Sequence, residues 1–274
     1  MPHIDTPGGV RLYYETLGDP AAPPLVLIQG LGGHLLGWHR ELCAGIAATG
    51  FHVIRFDNRD VGLSQKFPAG GYQISDMAAD AAGLLDALGI ASAHIVAQSM
   101  GGMIAQELAI GYPGHVRSLA LIYTAPGNAA FFAGADLIHA RMGLPEARNR
   151  AEAVELYLRN EASCSSPGYP ADLNWLRELG GLMYDRGYDP SGTARQLAAL
   201  LAYPDRAESL ACLDIPTTIL HGDSDQLIDP AAARALHRAI PDSTLTVFAG
   251  MGHELPRPLW RDIVALIQEN TCGA

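Results

Sequence analysis

The sequence predicts an α/β protein: a mainly parallel sheet with helices packed on both faces. Three observations carry this. Residues 25–28 (LVLI) and 95–97 (IVA) are unbroken apolar runs, the pattern of strands covered on both sides. Segments with apolar residues at helical spacing alternate with such runs, as crossovers between parallel strands require. Finally, residues 94–102 (HIVAQSMGG) pass from strand to helix across a serine flanked by small residues.

Taken in order, residues 10–16 alternate apolar and polar, as a half-exposed strand does, and 18–24 (GDPAAPP) form a turn-rich link. The strand at 25–28 runs into a glycine-rich loop, 29–34 (QGLGGH), at a strand's carboxyl end, where open α/β sheets bind ligands. A helix over 38–49 stops at Gly50, and a strand over 52–57 leads into the turn 58–64 (NRDVGLS). Ile74, Met77, Ala81, Leu84, Leu85 and Leu88 lie at helical spacing, with Gly89 as stop signal. After the serine, residues 103–110 read as a buried helix ended at 111–113 (GYP), and 118–123 as another strand.

The rhythm then breaks. Residues 127–207 show helical patterns, clearest over 146–161 and 193–203 with a loop at 164–170, and no convincing strand. This stretch is expected to be a helical cap over the sheet's ligand edge, leaving 1–126 and 208–274 as the core domain; peripheral helices would give the same pattern. Strands resume at 217–221 and 244–248. Between them a helix over 230–240 has Asp229 as N-cap and proline in its first turn, and a last helix spans 259–268.

A chain of 274 residues with 49% hydrophobic content can bury one sizeable core. The formal net charge of −11 argues against nucleic acid or an anionic membrane surface as partner. No apolar run reaches the ~18 residues that a membrane span needs, and the N-terminus has neither the basic nor the apolar region of an export signal. Cys43, Cys164, Cys212 and Cys272 are widely spaced, as in reduced, mostly packing cysteines of a cytoplasmic protein. No metal-ligating or nucleotide-binding pattern appears, so no metal or cofactor is expected.

A serine at a sharp strand-to-helix turn suits nucleophilic catalysis, because the turn lifts the hydroxyl clear and the helix N-terminus favours negative charge beside it. A serine merely capping a helix would look alike in isolation. Serine needs a base, and the base an orienting group. His253, on the turn 250–253 (GMGH), is the candidate base, and His34 is its rival, better placed to line a pocket. His221, at a strand end, reads as a hydrogen-bonded core histidine. For the acid, residues 222–229 (GDSDQLID) offer Asp223, Asp225 and Asp229. Asp229 has its capping role, and Asp225 lies far enough past the strand to turn back toward His253. Backbone N–H groups of Leu31 and Met100 are placed to hold a developing oxyanion.

The chain order Ser99, Asp225, His253, each just past a strand, resembles that of the α/β-hydrolases over essentially the full length. Residues 97–101 (AQSMG) are similar to that family's G-x-S-x-G elbow with Ala first. Gln29-Gly30 resembles its His-Gly oxyanion loop, and Trp38 a tryptophan found downstream of it. Residues 57–64 (DNRDVGLS) are similar to its D-x-R-G-x-G-x-S turn, with Asp60 where Gly is usual. Gly222-x-x-Asp225 and Gly250-x-Gly-His253 resemble the acid and histidine loops. Within the family, the turn 58–64 and Ser99-Met-Gly-Gly102 most resemble small bacterial esterases of the aclacinomycin methylesterase type, although cofactor-free haloperoxidases share a similar elbow.

The resemblance implies an α/β-hydrolase fold with an eight-stranded sheet and a serine hydrolase of carboxylic esters working as a monomer or homodimer, and the cap's apolar and aromatic side chains point to small or mid-sized apolar substrates. Perhydrolysis or acyl transfer at the same triad, and a silent ligand receptor, are the alternatives. The family's dehalogenases and epoxide hydrolases carry Asp at the elbow, against Ser99 here. His34, Gln98, Phe131, Phe132, Leu137 and Met142 are the candidate pocket residues, with Ile138, Tyr157, Trp175, Met183 and Tyr184 as further apolar or aromatic candidates in the cap.

Overall fold

The computed structural model describes residues 2–128 and 144–273. Its strands are β1 (His3–Asp5), β2 (Arg11–Leu17), β3 (Pro24–Ile28), β4 (His52–Phe56), β5 (Ala93–Gln98), β6 (Val116–Ile122), β7 (Thr217–Gly222) and β8 (Thr244–Phe248). They form one sheet in the order β1-β2-β4-β3-β5-β6-β7-β8, antiparallel at β1-β2 and β2-β4 and parallel elsewhere. The described helices are α1 (Arg40–Ala48), α2 (Ile74–Ala87), α3 (Met100–Gly111), α4 (Arg150–Ala162), α5 (Leu173–Gly187), α6 (Pro190–Leu201), α7 (Ala207–Leu210), α8 (Ala231–Ala239) and α9 (Trp260–Thr271).

The apolar runs explain the layering. Side chains alternate across a strand, so β3 sends Leu25 and Leu27 to one face and Val26 and Ile28 to the other. Leu25 and Leu27 pack with Leu42 and Ile46 of α1 and Ile263 and Ile267 of α9. Val26 and Ile28 pack with Met77 and Leu84 of α2, Met103 and Ile104 of α3 and Leu236 of α8. All four β3 side chains are essentially inaccessible, and burial of each stabilises the fold by about 2 kcal/mol.

The sheet order also sets where a ligand can sit. From β3 the chain moves to β4 on one side and then to β5 on the other, with Ile28 paired to Ala97 across the β3-β5 ladder. The loops after β3 and β5 therefore part at neighbouring carboxyl ends, which opens a crevice at this reversal of strand order.

The sheet agrees with expectation except at β1, a three-residue edge strand too short to give a periodic signal. Helix α4 starts at Arg150 and not near 146, because the Asn149 side chain accepts the Glu152 N–H and sets the N-cap there. Helix α5 has no counterpart in the sequence reading. Its Gly180-Gly181 pair weakens the helical signal, yet a Cβ on Gly180 would lie 3.0 Å from the Tyr157 Cβ, and one on Gly181 2.2 Å from the Arg150 guanidinium. The pair lets α4 and α5 approach closely. Helices α4 to α7 all lie between β6 and β7. Cys43 and Cys164 are buried as expected of packing cysteines, whereas Cys212 and Cys272 are exposed. Among the described residues, no helix is long and apolar enough to cross a membrane.

Candidate active site

Ser99 stands between β5 and α3 with φ +56° and ψ −127°, a left-handed conformation uncommon for a residue with a side chain. The surroundings hold it there. The Ser99 N–H donates to the Ile122 carbonyl at 3.0 Å, and the Thr124 hydroxyl donates to the Ser99 carbonyl at 2.7 Å. The small neighbours are dictated by crowding: a Cβ on Gly101 would lie 2.5 Å from the Ile28 carbonyl oxygen, and one on Gly102 2.5 Å from the Thr124 side chain. Ala97, where the family motif has glycine, is fully buried in the β5 ladder.

His253 bridges the other two residues. Its Nε2 lies 2.9 Å from Ser99 Oγ and its Nδ1 2.7 Å from Asp225 Oδ2. An ionised carboxylate only accepts, so Nδ1 carries the proton and Nε2 is left to accept from the serine. Asp225 Oδ1 accepts the Leu227 and Ile228 N–H groups at 2.8 and 2.9 Å. Burial acts to raise the Asp225 carboxyl, but His253, the His221 ring and the Ile228 N–H outweigh it and hold it well below the usual range. Asp225 is therefore a fixed anion.

The rival acids have other work. Asp223 accepts the Gly250 N–H at 2.7 Å, joining the acid loop to the histidine loop. The N-cap of α8 is Pro230 and not Asp229, but Asp229, two residues ahead of the helix, still accepts the Ala231 N–H at 2.7 Å. His221 is fully buried and its Nε2 donates to the Ile228 carbonyl at 3.0 Å, as a core histidine would.

The loop after β3 closes against the serine. A Cβ on Gly30 would lie 3.0 Å from the Ser99 Cβ. Gln29 folds its side chain back so that Oε1 accepts the Gly30 N–H at 2.7 Å, and Gly33 and Gly37 leave it room. Gln98 donates to the same Oε1 and accepts from the Tyr123 hydroxyl. Burial, with Glu161 and Asp225 nearby, raises the Tyr123 phenol well above its ordinary value, so it stays a donor. Leu31 N–H follows Gly30, and Met100 N–H begins α3; outside regular helix and strand bonding, no hydrogen bond among the described residues engages either. First-turn N–H groups have no intrahelical acceptor.

A cavity of about 720 Å³ opens onto these groups. Ser99, His253, Leu31, Gln98 and His34 line it, as do Tyr157, Trp175, Met183 and Tyr184 from the helices between β6 and β7. Phe131, Phe132, Leu137, Ile138 and Met142 fall outside the described residues. Burial lowers His34 to about 4, so it faces the cavity as a neutral ring.

Tyr123 and Ser166 support the site with no sequence signal, whereas Asp57 opens the family-like turn at 57–64. Tyr123 packs its ring 4.4 Å from that of His253. The loop 163–169 grips the histidine loop: Cys164 carbonyl accepts the His253 N–H at 2.9 Å, and the Ser166 hydroxyl accepts the Gly252 N–H at 2.8 Å. Asp57, fully buried, accepts from Leu35 N–H, Leu63 N–H and the Arg186 guanidinium at 2.8, 2.9 and 2.7 Å.

The chain belongs to the alpha/beta hydrolase fold family, whose model matches residues 23–256. Among sequence relatives it is similar to the rhodomycin D methylesterase DauP of Streptomyces sp. (strain C5), with 29% identity covering 97% of this chain and 96% of that protein. Among solved structures it is similar to the esterase RhEst1 from Rhodococcus sp. ECU1013, with a TM-score of 0.80 and 23% identity over 100% of this chain and 99% of that one. The enol-lactonase from Burkholderia xenovorans LB400 has a TM-score of 0.77 and 22% identity over 99% and 100% of the two chains. At these identities the two structures speak for the fold.

Proposed function

We propose that the protein is a serine hydrolase of carboxylic esters that works through an acyl-enzyme. The observation that carries the reading is His253 bonded at once to Ser99, at 2.9 Å, and to Asp225, at 2.7 Å. Nε2 takes the Ser99 proton as Oγ bonds to the ester carbonyl carbon, and the carbonyl electron pair moves onto oxygen. Leu31 and Met100 N–H groups hold that oxyanion. Asp225 supports the imidazolium, which gives its proton to the departing alkoxide as the carbonyl reforms. Water then repeats the cycle on the acyl group, releasing the acid and Ser99. The similarity to a methylesterase over nearly the whole chain supports an ester as substrate with a compact alcohol.

The helices between β6 and β7 serve as the cap. They present apolar and aromatic side chains to a cavity whose size suits a small or mid-sized acyl group and keeps water from the reacting carbonyl. The test is direct. A fluorophosphonate should label the wild type at Ser99, and Ser99→Ala should lose both labelling and turnover of p-nitrophenyl butyrate while its thermal transition persists. Undiminished turnover in that variant would overturn the mechanism.

A further inference from the structure

We infer that Gln196, on α6 and outside the triad, is a positioning residue for the oxyanion loop. This rests on the serine-hydrolase reading above. Gln196 is fully buried, and both ends of its amide are committed across the boundary between α6 and the core. Its Oε1 accepts the Gly32 N–H at 2.8 Å, and its Nε2 donates to the Arg59 carbonyl at 2.7 Å. One side chain thus ties together the loop after β3, the turn after β4 and α6.

The bond to Gly32 falls at a sensitive point. Residues 30–33 make a tight turn, closed by the Gly33 N–H donating to the Gly30 carbonyl at 3.2 Å, with Gly32 at φ +66°. A glycine-bearing turn can rotate the peptide plane between its central residues at little cost. That plane joins Leu31, the proposed oxyanion donor, to Gly32. An acceptor fixed on the Gly32 N–H selects one orientation of that plane and pins Leu31 at one end of the Gly30–Leu31 peptide plane, which carries the Leu31 N–H and whose Gly30 carbonyl accepts from Gly33. From the other side of the turn, Gln29 Oε1 holds the Gly30 N–H. Leu31 is clamped on both flanks, and its own N–H is left for substrate.

The anchor is itself rigid. The neighbouring Arg195 bonds Asp60 through Nε and Nη2 at 2.9 and 2.7 Å, and Thr193 packs so close to Gly32 that a Cβ there would lie 2.8 Å from its hydroxyl. Gln196 therefore acts from a fixed helix. Donors aimed at a developing charge gain their effect from being held in advance, and displacement of a reacting group by ~1 Å can cost ~100-fold in rate.

Two variants test this, with p-nitrophenyl butyrate as substrate, a trifluoromethyl ketone as tetrahedral-adduct inhibitor and butyrate as ground-state ligand. Gln196→Met keeps the length and loses both hydrogen bonds. It should lower kcat by about 10- to 100-fold with KM little changed, weaken the trifluoromethyl ketone by the same factor and leave butyrate binding as it was. Gln196→Glu keeps an oxygen for Gly32 but sets the other against the Arg59 carbonyl, so it should melt below Gln196→Met yet retain more of kcat. A purely structural residue would give kcat values that follow the melting temperatures, which would overturn the inference, as would unchanged kcat in Gln196→Met. Should Gln196→Met fail to fold, Gln196→Glu decides alone: kcat kept despite a lowered melting point supports the role, and kcat lost in step with it refutes it. A wild type that neither hydrolyses the ester nor reacts with a fluorophosphonate would instead remove the hydrolase reading itself.

Discussion

Asp60 and Arg195 form a two-bonded ion pair, at 2.9 and 2.7 Å, that fastens the turn after β4 to helix α6. Asp60 stands where the family's turn usually has glycine, and it holds φ +73°. Its carboxylate, fully buried, also accepts the Phe67 N–H and the Tyr72 hydroxyl, each at 2.7 Å. Burial works against the charge, but these donors outweigh it and keep the carboxyl below its ordinary value.

Asp60→Gly measures the balance. Glycine would relieve about 1 kcal/mol of backbone strain but would leave Arg195, Tyr72 and the Phe67 N–H without their acceptor, which costs about 3–5 kcal/mol. A net loss is expected, with Tm lower by roughly 5–10 °C in a domain of this size. Thermal unfolding of Asp60→Gly and Asp60→Asn checks it, with Asn expected between glycine and wild type. A glycine variant that melts higher than wild type would mean the strain outweighs the pair.

His34 should make the fold acid-sensitive. Between the ordinary value of 6.5 and about 4, the unfolded chain binds a proton at this ring and the folded chain does not. Stability therefore rises with pH across that window and falls as pH drops through it, by about 3 kcal/mol over its full width. His34→Gln should flatten the dependence of Tm on pH between 6.5 and 4, and mainly change KM when assayed. An unchanged slope in the variant would show that His34 is not the group responsible.

The three aspartates of the acid loop should separate by role. Asp225→Asn removes the anion behind His253 and is expected to lower kcat on the order of 10⁴-fold. In Asp223→Asn an amide oxygen can still accept the Gly250 N–H, so the loss should stay within about tenfold, a hydrogen bond's weakening. Asp229→Asn can still accept the Ala231 N–H and should behave as wild type. Steady-state kinetics on the three variants decide it, and a larger loss at Asp223 than at Asp225 would reassign the acid.

Chain length should report the cavity. A pocket of about 720 Å³ lined by Trp175, Met183 and Tyr184 has room for short and medium acyl groups. Comparison of kcat/KM for p-nitrophenyl butyrate, octanoate and palmitate should show palmitate the poorest, and amides below esters. A clear preference for palmitate would mean that the cavity opens further in solution.

Much of this protein could be read along the chain. Leu25 to Ile28 and Ile95 to Ala97 announce buried strands because hydrophobicity at every position is a local property; Ser99 and Asp225 follow buried strands, and His253 follows the partly exposed β8. Strand order at the crevice, with β3 between β4 and β5, is not written along the chain, because a parallel crossover can carry it to either side of a strand. Helix α5 escaped because its glycine pair answers to Tyr157 and Arg150 on another helix. The separation of Asp225 from Asp223 was suggested by loop length, but only packing shows which carboxylate meets the imidazole and which turns to Gly250.

By itself, then, the sequence determined the alternating architecture, the serine turn and the order of the three polar residues, because each is written in neighbours a few positions apart. Only the tertiary structure decided what steadies them: Tyr123 against His253, Ser166 on the histidine loop, Arg186 on Asp57, and Gln196 on Gly32. Those partners lie as many as 164 positions apart, and a hydrogen bond is set by distance and angle in space, which no local pattern of residues encodes.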